Sequence, residues 1–172
     1  VIAPYATALA TQLDAPLACQ NLRALTALGA RGCYGFIEAL DFSPARQTHG
    51  GQHTPVKLRI EGIDAPEACQ PGGAESRDAM IRLALRKTVQ VQAFGQDHYG
   101  RQVAQVRIDG VDLGAEMVRS GMAWAYRFRT GKGPYAGLQR QAQKQRTGVF
   151  SADEVAMSPP VFRKFHGTCH GL

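Results

Sequence analysis

Apolar and charged residues alternate most cleanly at Val56-Lys57-Leu58-Arg59-Ile60-Glu61. Successive strand side chains point to opposite faces, so this run predicts a strand with Val56, Leu58 and Ile60 inward and Lys57, Arg59 and Glu61 outward. Gly62 then allows a bend, and Ile63-Asp64-Ala65-Pro66-Glu67 leaves the strand, because proline cannot donate to a ladder. Upstream the period is different. Leu9, Leu13 and Leu17, then Leu22, Leu25 and Leu28, recur at steps of four and three. With Asp14-Ala15-Pro16 interrupting them, they predict two short helices, the second closing near Gly29. Tyr34, Phe36 and residues 37–40 predict a strand ended by Asp41-Phe42-Ser43-Pro44, and a polar strand is expected over residues 45–49.

Downstream, Ala79, Met80, Leu83 and Ala84 are spaced for a helix over residues 74–87, with Arg82, Arg86 and Lys87 off the apolar stripe. Strands are expected over 88–94 and 101–108, with Asp109-Gly110 as a reversal. A helix follows over 111–120, ended by Gly121; residues 122–126 are short and apolar; a last helix over 135–147 is stopped by Gly148. From Ser151 the tail reads as irregular, marked by Ser158-Pro159-Pro160. Short strands with an inserted helix and later helices form an α+β pattern, for which a five-stranded Greek-key barrel is one natural closure. The expected organisation is a helical extension over 1–31, a main domain over 32–152 and a tail over 153–172.

Composition narrows the partners. The 172 residues suit one domain, and 44% hydrophobic against 20% charged residues is enough to bury a core. Twenty basic against fourteen acidic residues give +6, which favours polyanions such as nucleic acid. No apolar run reaches the ~18 residues of a membrane span. The chain opens Val-Ile-Ala-Pro without methionine, as after removal of a secretory segment or by a cloning choice. Cys19, Cys33, Cys69 and Cys169 contain no C-x-x-C pair. They read either as two disulfides of an exported protein, with three connectivities open, or as four buried thiols. Export to the periplasm or medium is the expectation.

Arg59, Asp64, Glu67 and Arg101 carry the candidate chemistry. Phosphodiester hydrolysis builds negative charge on the non-bridging oxygens, and a forked guanidinium can hold two of them while staying charged. A carboxylate can orient or deprotonate water, and a divalent cation takes oxygen ligands. The plain alternatives are a solvated or ion-paired strand arginine, with Glu61 available, and a turn aspartate at Asp64. His166-Gly167-Thr168-Cys169-His170, and His49 with His53, read as tail and surface residues before metal ligands. The basic face of residues 139–146 reads as solvated, or as lying along nucleic acid.

The run Leu58 to Glu67, with an arginine five residues before Asp64-Ala65-Pro66-Glu67, resembles the signature of the staphylococcal nuclease (thermonuclease) family. Asp97-His98-Tyr99-Gly100-Arg101 is similar to its second signature. Glu116-Met117-Val118-Arg119-Ser120-Gly121-Met122-Ala123-Trp124 and Gly148-Val149-Phe150-Ser151 are similar to its later segments. The resemblance implies an OB-fold barrel of five strands with about three packed helices, and hydrolysis of DNA and RNA with low sequence specificity. It implies Arg59 and Arg101 stabilising the phosphate, Glu67 as general base, and calcium held by Asp64 and the carbonyl of Ala65. It places Tyr99 and Tyr126 at substrate phosphate, although both could equally be half-buried core residues. A monomer acting on nucleic acid is expected.

One departure stands out. Where the family carries Asp-Gly-Asp-Thr, this chain has Asp41-Phe42-Ser43-Pro44, so the second metal-ligand position falls on Ser43. A neutral hydroxyl is a poor calcium ligand beside a carboxylate. Either Asp41 substitutes as the metal ligand, or the enzyme works with altered metal dependence, or the domain is a non-catalytic nucleic-acid or protein interaction module.

Overall fold

The computed structural model describes residues 20–24, 36–41, 55–126, 133–152, 156–167 and 169, with backbone alone for 20–24, 36–41 and 55–57. Eight strands occur among these residues: β1 (Gln20–Ala24), β2 (Phe36–Asp41), β3 (Pro55–Ile60), β4 (Ile63–Asp64), β5 (Thr88–Gln96), β6 (Gln102–Ile108), β7 (Val111–Asp112) and β8 (Trp124–Ala125). The α-helices are α1 (Gly73–Ala84), α2 (Leu113–Arg119), α3 (Ala136–Lys144) and α4 (Pro159–His166), with a 3-10 turn at Gly148–Phe150.

The expected five-stranded OB-type Greek-key barrel with about three packed helices is corrected. The strands sort into a six-stranded sheet of order β3-β2-β1-β5-β6-β7 and a separate two-stranded sheet, β4-β8, and four α-helices are present among the described residues. In addition, β3 pairs in parallel with β6, setting Arg59 opposite Val103. Four local misreadings produce the difference, the first being Val111–Asp112, read as the start of a helix over 111–120 but forming β7 beside β6 before α2 begins at Leu113. Residues 20–24 were expected to be helical but form β1, which pairs antiparallel with both β2 and β5. Leucines at steps of three in so short a run do not distinguish helix from strand, and two partners far away in sequence decide the matter. Ile63 and Asp64 were read as leaving the sheet, yet they pair with Ala125 and Trp124. The tail after Ser151 was read as irregular, yet Pro159 and Pro160 open α4 at its first two positions. There a missing N–H costs nothing, because no helical partner exists for it.

The strand-and-helix periods elsewhere are close to those read from the chain. Leu58 and Ile60 are buried, as are Val89, Val91, Ala104 and Val106 from β5 and β6. Ala79, Met80 and Ala84 of α1, with Leu113, Met117 and Val118 of α2, cover the same core. Asp112 caps α2 by accepting from the Ala115 N–H at 2.9 Å, and it also accepts from the Tyr135 hydroxyl at 2.9 Å, which ties the start of α3 to the start of α2. The expected polar strand over 45–49, with His49 and the later His53, the first 19 residues, and Ser43 lie outside the described residues.

No helix among the described residues is long and apolar enough to cross a membrane. Of the four cysteines, Cys69 and Cys169 are joined in a disulfide, which leaves one of the three open connectivities; Cys19 and Cys33 lie outside the described residues.

Candidate active site

The site is assembled where β3 ends. Arg59 projects from the strand between the buried Leu58 and Ile60, and the chain then turns through Glu61-Gly62 into β4. Gly62 has φ +78°, and a Cβ there would lie 2.8 Å from both Pro134 and Tyr135. Only glycine suits this turn, for conformation and for space together. The turn reverses the chain within a few residues, so that Arg59 donates to the Ile63 carbonyl at 3.1 Å and lies 3.9 Å from Asp64. Tyr126, directly after β8, donates its backbone N–H to the Gly62 carbonyl at 2.9 Å, and its ring lies 5.3 Å from the Arg59 guanidinium carbon.

Asp64 and Glu67 are buried, at 1% and 0% exposure. The turn that holds Glu67 is knit by its own backbone: its N–H donates to Gln70 Oε1 at 3.1 Å and its carbonyl accepts from the Gln70 N–H at 2.9 Å. Gly73, the first residue of α1, packs against that turn so closely that a Cβ would come within 2.1 Å of the Glu67 carbonyl oxygen. The position of Glu67 is therefore set by a backbone contact that no side chain could replace.

Arg101 stands at the neighbouring strand. Because β3 and β6 run parallel with Arg59 opposite Val103, Arg101, two residues before Val103, belongs to the same face as Arg59. Its guanidinium is held by Asp97, with Nε donating to Oδ2 at 2.7 Å and Nη2 lying 2.6 Å from the same oxygen. Asp97 Oδ1 also accepts from the backbone N–H of Tyr99 at 2.9 Å and of Arg101 at 3.0 Å, so one carboxylate organises the whole turn. Burial pushes the Asp97 carboxyl up, but its bonds from Arg101 and the Tyr99 backbone outweigh this and hold it below the ordinary carboxylate range. Tyr99 is exposed and its ring lies 5.1 Å from the Arg101 guanidinium carbon; Tyr126 is half-buried.

Arg59, Asp64 and Glu67 thus lie together at the end of β3, whereas Arg101 is held by Asp97 in the turn that precedes β6. Asp41 is the last residue of β2 and is described by its backbone alone.

The sequence reading missed a fifth residue. Arg163, in α4, donates through Nη2 to Asp64 Oδ2 at 2.7 Å and through Nη1 to Glu67 Oε1 at 2.8 Å, with a longer contact of 3.4 Å to Asp64 Oδ1. Burial alone would lower its pKa, but the bonds to Asp64 and Glu67 raise it above the ordinary arginine value. A signal for it existed in the chain: Cys69 lies two residues past Glu67, and its pairing with Cys169 brings the tail to the motif.

The calcium that the resemblance implies does not fit the site as it is built. Such an ion needs several oxygen ligands, but both oxygens of Asp64 and Oε1 of Glu67 already face a guanidinium. No group of three or more His, Cys, Asp or Glu side chains is arranged to hold a metal among the described residues.

Comparison with known proteins fits these positions. The family model described as staphylococcal nuclease homologue matches residues 57–152. A protein of Escherichia coli O157:H7 named as an uncharacterized endonuclease is 41% identical over 102 residues, covering 58% of this chain and 67% of its own length. A probable staphylococcal-like nuclease of Oryza sativa subsp. japonica is 34% identical over 96 residues, 56% of this chain. Another uncharacterized endonuclease, from Haemophilus influenzae, is 34% identical over 109 residues, 63% of this chain. The chain spans 29% of the rice protein's length and 61% of the Haemophilus protein's. Arg59, Asp64, Glu67 and Arg101 all fall inside the matched span, Arg163 outside it, and the chain belongs to the staphylococcal nuclease homologue family.

Proposed function

We propose that this chain hydrolyses phosphodiester bonds of DNA or RNA, with Arg59, Glu67 and Arg101 carrying the reaction. The observation that bears most weight is that Arg59, at the end of β3, lies 3.9 Å from Asp64, with the buried Glu67 just beyond on the same turn, while Arg101 directly precedes β6, the strand paired with β3. In this reading the oxygen of a water bonds to phosphorus while the bond from phosphorus to the leaving sugar oxygen breaks. Glu67 takes one proton from the attacking water, and the leaving oxygen takes one from solvent. Arg59 and Arg101 hold the non-bridging oxygens as their charge grows, which is worth about 2–4 kcal/mol of transition-state stabilisation per donor. Tyr99 and Tyr126, each with its ring near one of those guanidiniums, flank the path of the chain being cut.

Low sequence specificity follows if charge and shape at the phosphate dominate recognition, and the net charge of +6 supports such binding. The Cys69–Cys169 disulfide supports an oxidising compartment, as for a periplasmic or secreted protein.

Plasmid DNA and single-stranded RNA incubated with the purified protein test the reading. Glu67→Ala and Arg59→Ala are each expected to lower kcat roughly 100- to 1000-fold. Wild-type rates in either variant would remove the assignment. A wild-type protein that binds DNA without cutting it would favour an interaction module.

A further inference from the structure

We propose that Arg163 is the resident cation of this site, standing between Asp64 and Glu67 and positioning both for a reaction that needs no added divalent metal. The proposal deepens the nuclease reading and, for its activity arm, rests on it.

Two buried carboxylates side by side repel each other and are costly to bury unless a positive charge lies between them. Here that charge is supplied from within the chain, because Asp64 and Glu67 are 1% and 0% exposed and one guanidinium reaches both. The fork matches a carboxylate geometrically, carries its charge at every working pH and does not exchange as a metal ligand does.

Arg163 is also mounted like a scaffold residue. Before it in the chain, the Met157 carbonyl accepts from Gln70 Nε2 at 2.6 Å. Beside it, Phe162 is buried at 8% exposure. Beyond it, Cys169 is bonded to Cys69, and its sulfur accepts from the Cys69 backbone N–H at 3.0 Å. All of these anchors meet the segment around Gln70 that follows Glu67, or the hollow beside it, lined by Gln70, Met122 and Trp124.

The arrangement commits only one of the two oxygens of Glu67. Oε1 is held by Arg163, while Oε2 is buried and has no hydrogen-bond partner among the described residues. Oε2 is the carboxylate oxygen that Arg163 leaves uncommitted, and Arg163 fixes its direction through the hydrogen bond to Oε1, acting as a positioning residue. The serine at the usual second ligand position is then no defect, because the ligand set has lost the ion it served.

The test compares wild type, Arg163→Ala and Arg163→Lys with the disulfide intact. Calcium binding is read by calorimetric titration with calcium chloride, and DNA cleavage is measured in EDTA and in calcium. Wild type is expected to bind no calcium at this site and to cut at the same rate in EDTA. Arg163→Ala is expected to lose cleavage in EDTA by roughly 10- to 100-fold, as for partners that orient a reactive group, and to gain calcium binding. Arg163→Lys, which keeps the charge without the fork, is expected to fall between them.

Calcium binding by wild type, or EDTA-sensitive cleavage by wild type, overturns the proposal without any variant having to fold. Faster cleavage by Arg163→Ala also overturns it and makes α4 a blocking element. If wild type cuts nothing under any condition the nuclease reading fails, whereas the calcium titration still decides whether Arg163 holds the cation position.

Discussion

Two arginines of this molecule are held by carboxylates in opposite ways. Arg101 is gripped by Asp97, four residues earlier, within a single turn whose N–H groups close on the same carboxylate. Arg163 is gripped by Asp64 and Glu67, which lie 99 and 96 residues earlier. The first pair exists because of local chain geometry and stands in any structure that forms the turn. The second exists only when α4 is docked, so it reports on tertiary structure, and it carries with it the burial of two carboxylates. A local pair can orient a functional group cheaply; a distant one makes the order of the site depend on the order of the fold.

The largest expected effect of breaking this contrast comes from the covalent tether. The Cys69–Cys169 bond closes a separation of 100 residues. Such a loop, when cross-linked, restricts the unfolded chain enough to contribute about 4 kcal/mol. Replacing both cysteines by serine is expected to lower the unfolding free energy in urea by that amount. The Asp97–Arg101 turn has no covalent link to lose and should keep its geometry in the folded variant. An unchanged urea midpoint would show that the docking of α4 owes nothing to the tether.

Next in size is Arg163→Ala with the disulfide kept. Removing one partner of a buried pair strands the other, and here two carboxylates are stranded, so a loss of about 3 kcal/mol is expected in urea unfolding. Arg163→Met, which restores apolar bulk without charge, should not recover it while Asp64 and Glu67 are present. Recovery by Arg163→Met would mean that packing of α4, and not charge, carries the contact.

The same contrast explains what the sequence disclosed. Arg59, Asp64, Glu67 and Arg101 could be read because their spacing is written in two short motifs and in the clean alternation of β3. The α1 stripe and the strands that became β5 and β6 were legible for the same reason: their periods are local. What escaped was decided by partners elsewhere in the chain. Residues 20–24 have a leucine spacing compatible with either element and became β1 because β2 and β5 flank them. Ile63-Asp64 became β4 because Trp124-Ala125 lies alongside. Arg163 sits in a tail whose two prolines suggested an end to structure, when in fact they begin a helix. The expected strand and helix count failed on these segments and on Val111–Asp112, which pairs with β6 across the Asp109-Gly110 turn as a sixth strand of the large sheet.

The smallest effect sharpens the local side of the comparison through pH. Asp97 has its carboxyl pKa held below the ordinary value in the fold. A group so depressed contributes its stability above the unfolded pKa, about 3.9, and loses that contribution as pH falls through its lower folded value. Asp97→Asn should therefore cost about 1 kcal/mol at pH 7, in line with the net worth of the turn's hydrogen bonds. The difference between wild type and variant should be constant from pH 7 down to about pH 5 and shrink below pH 4, where wild-type Asp97 itself takes up a proton. Urea midpoints of both proteins at pH 7, 5, 4 and 3 measure this directly. A gap that stays constant to pH 3 would mean that the turn depends on the shape of residue 97 and not on its charge, and Arg101 would then have to be oriented by Tyr99 and the strand instead.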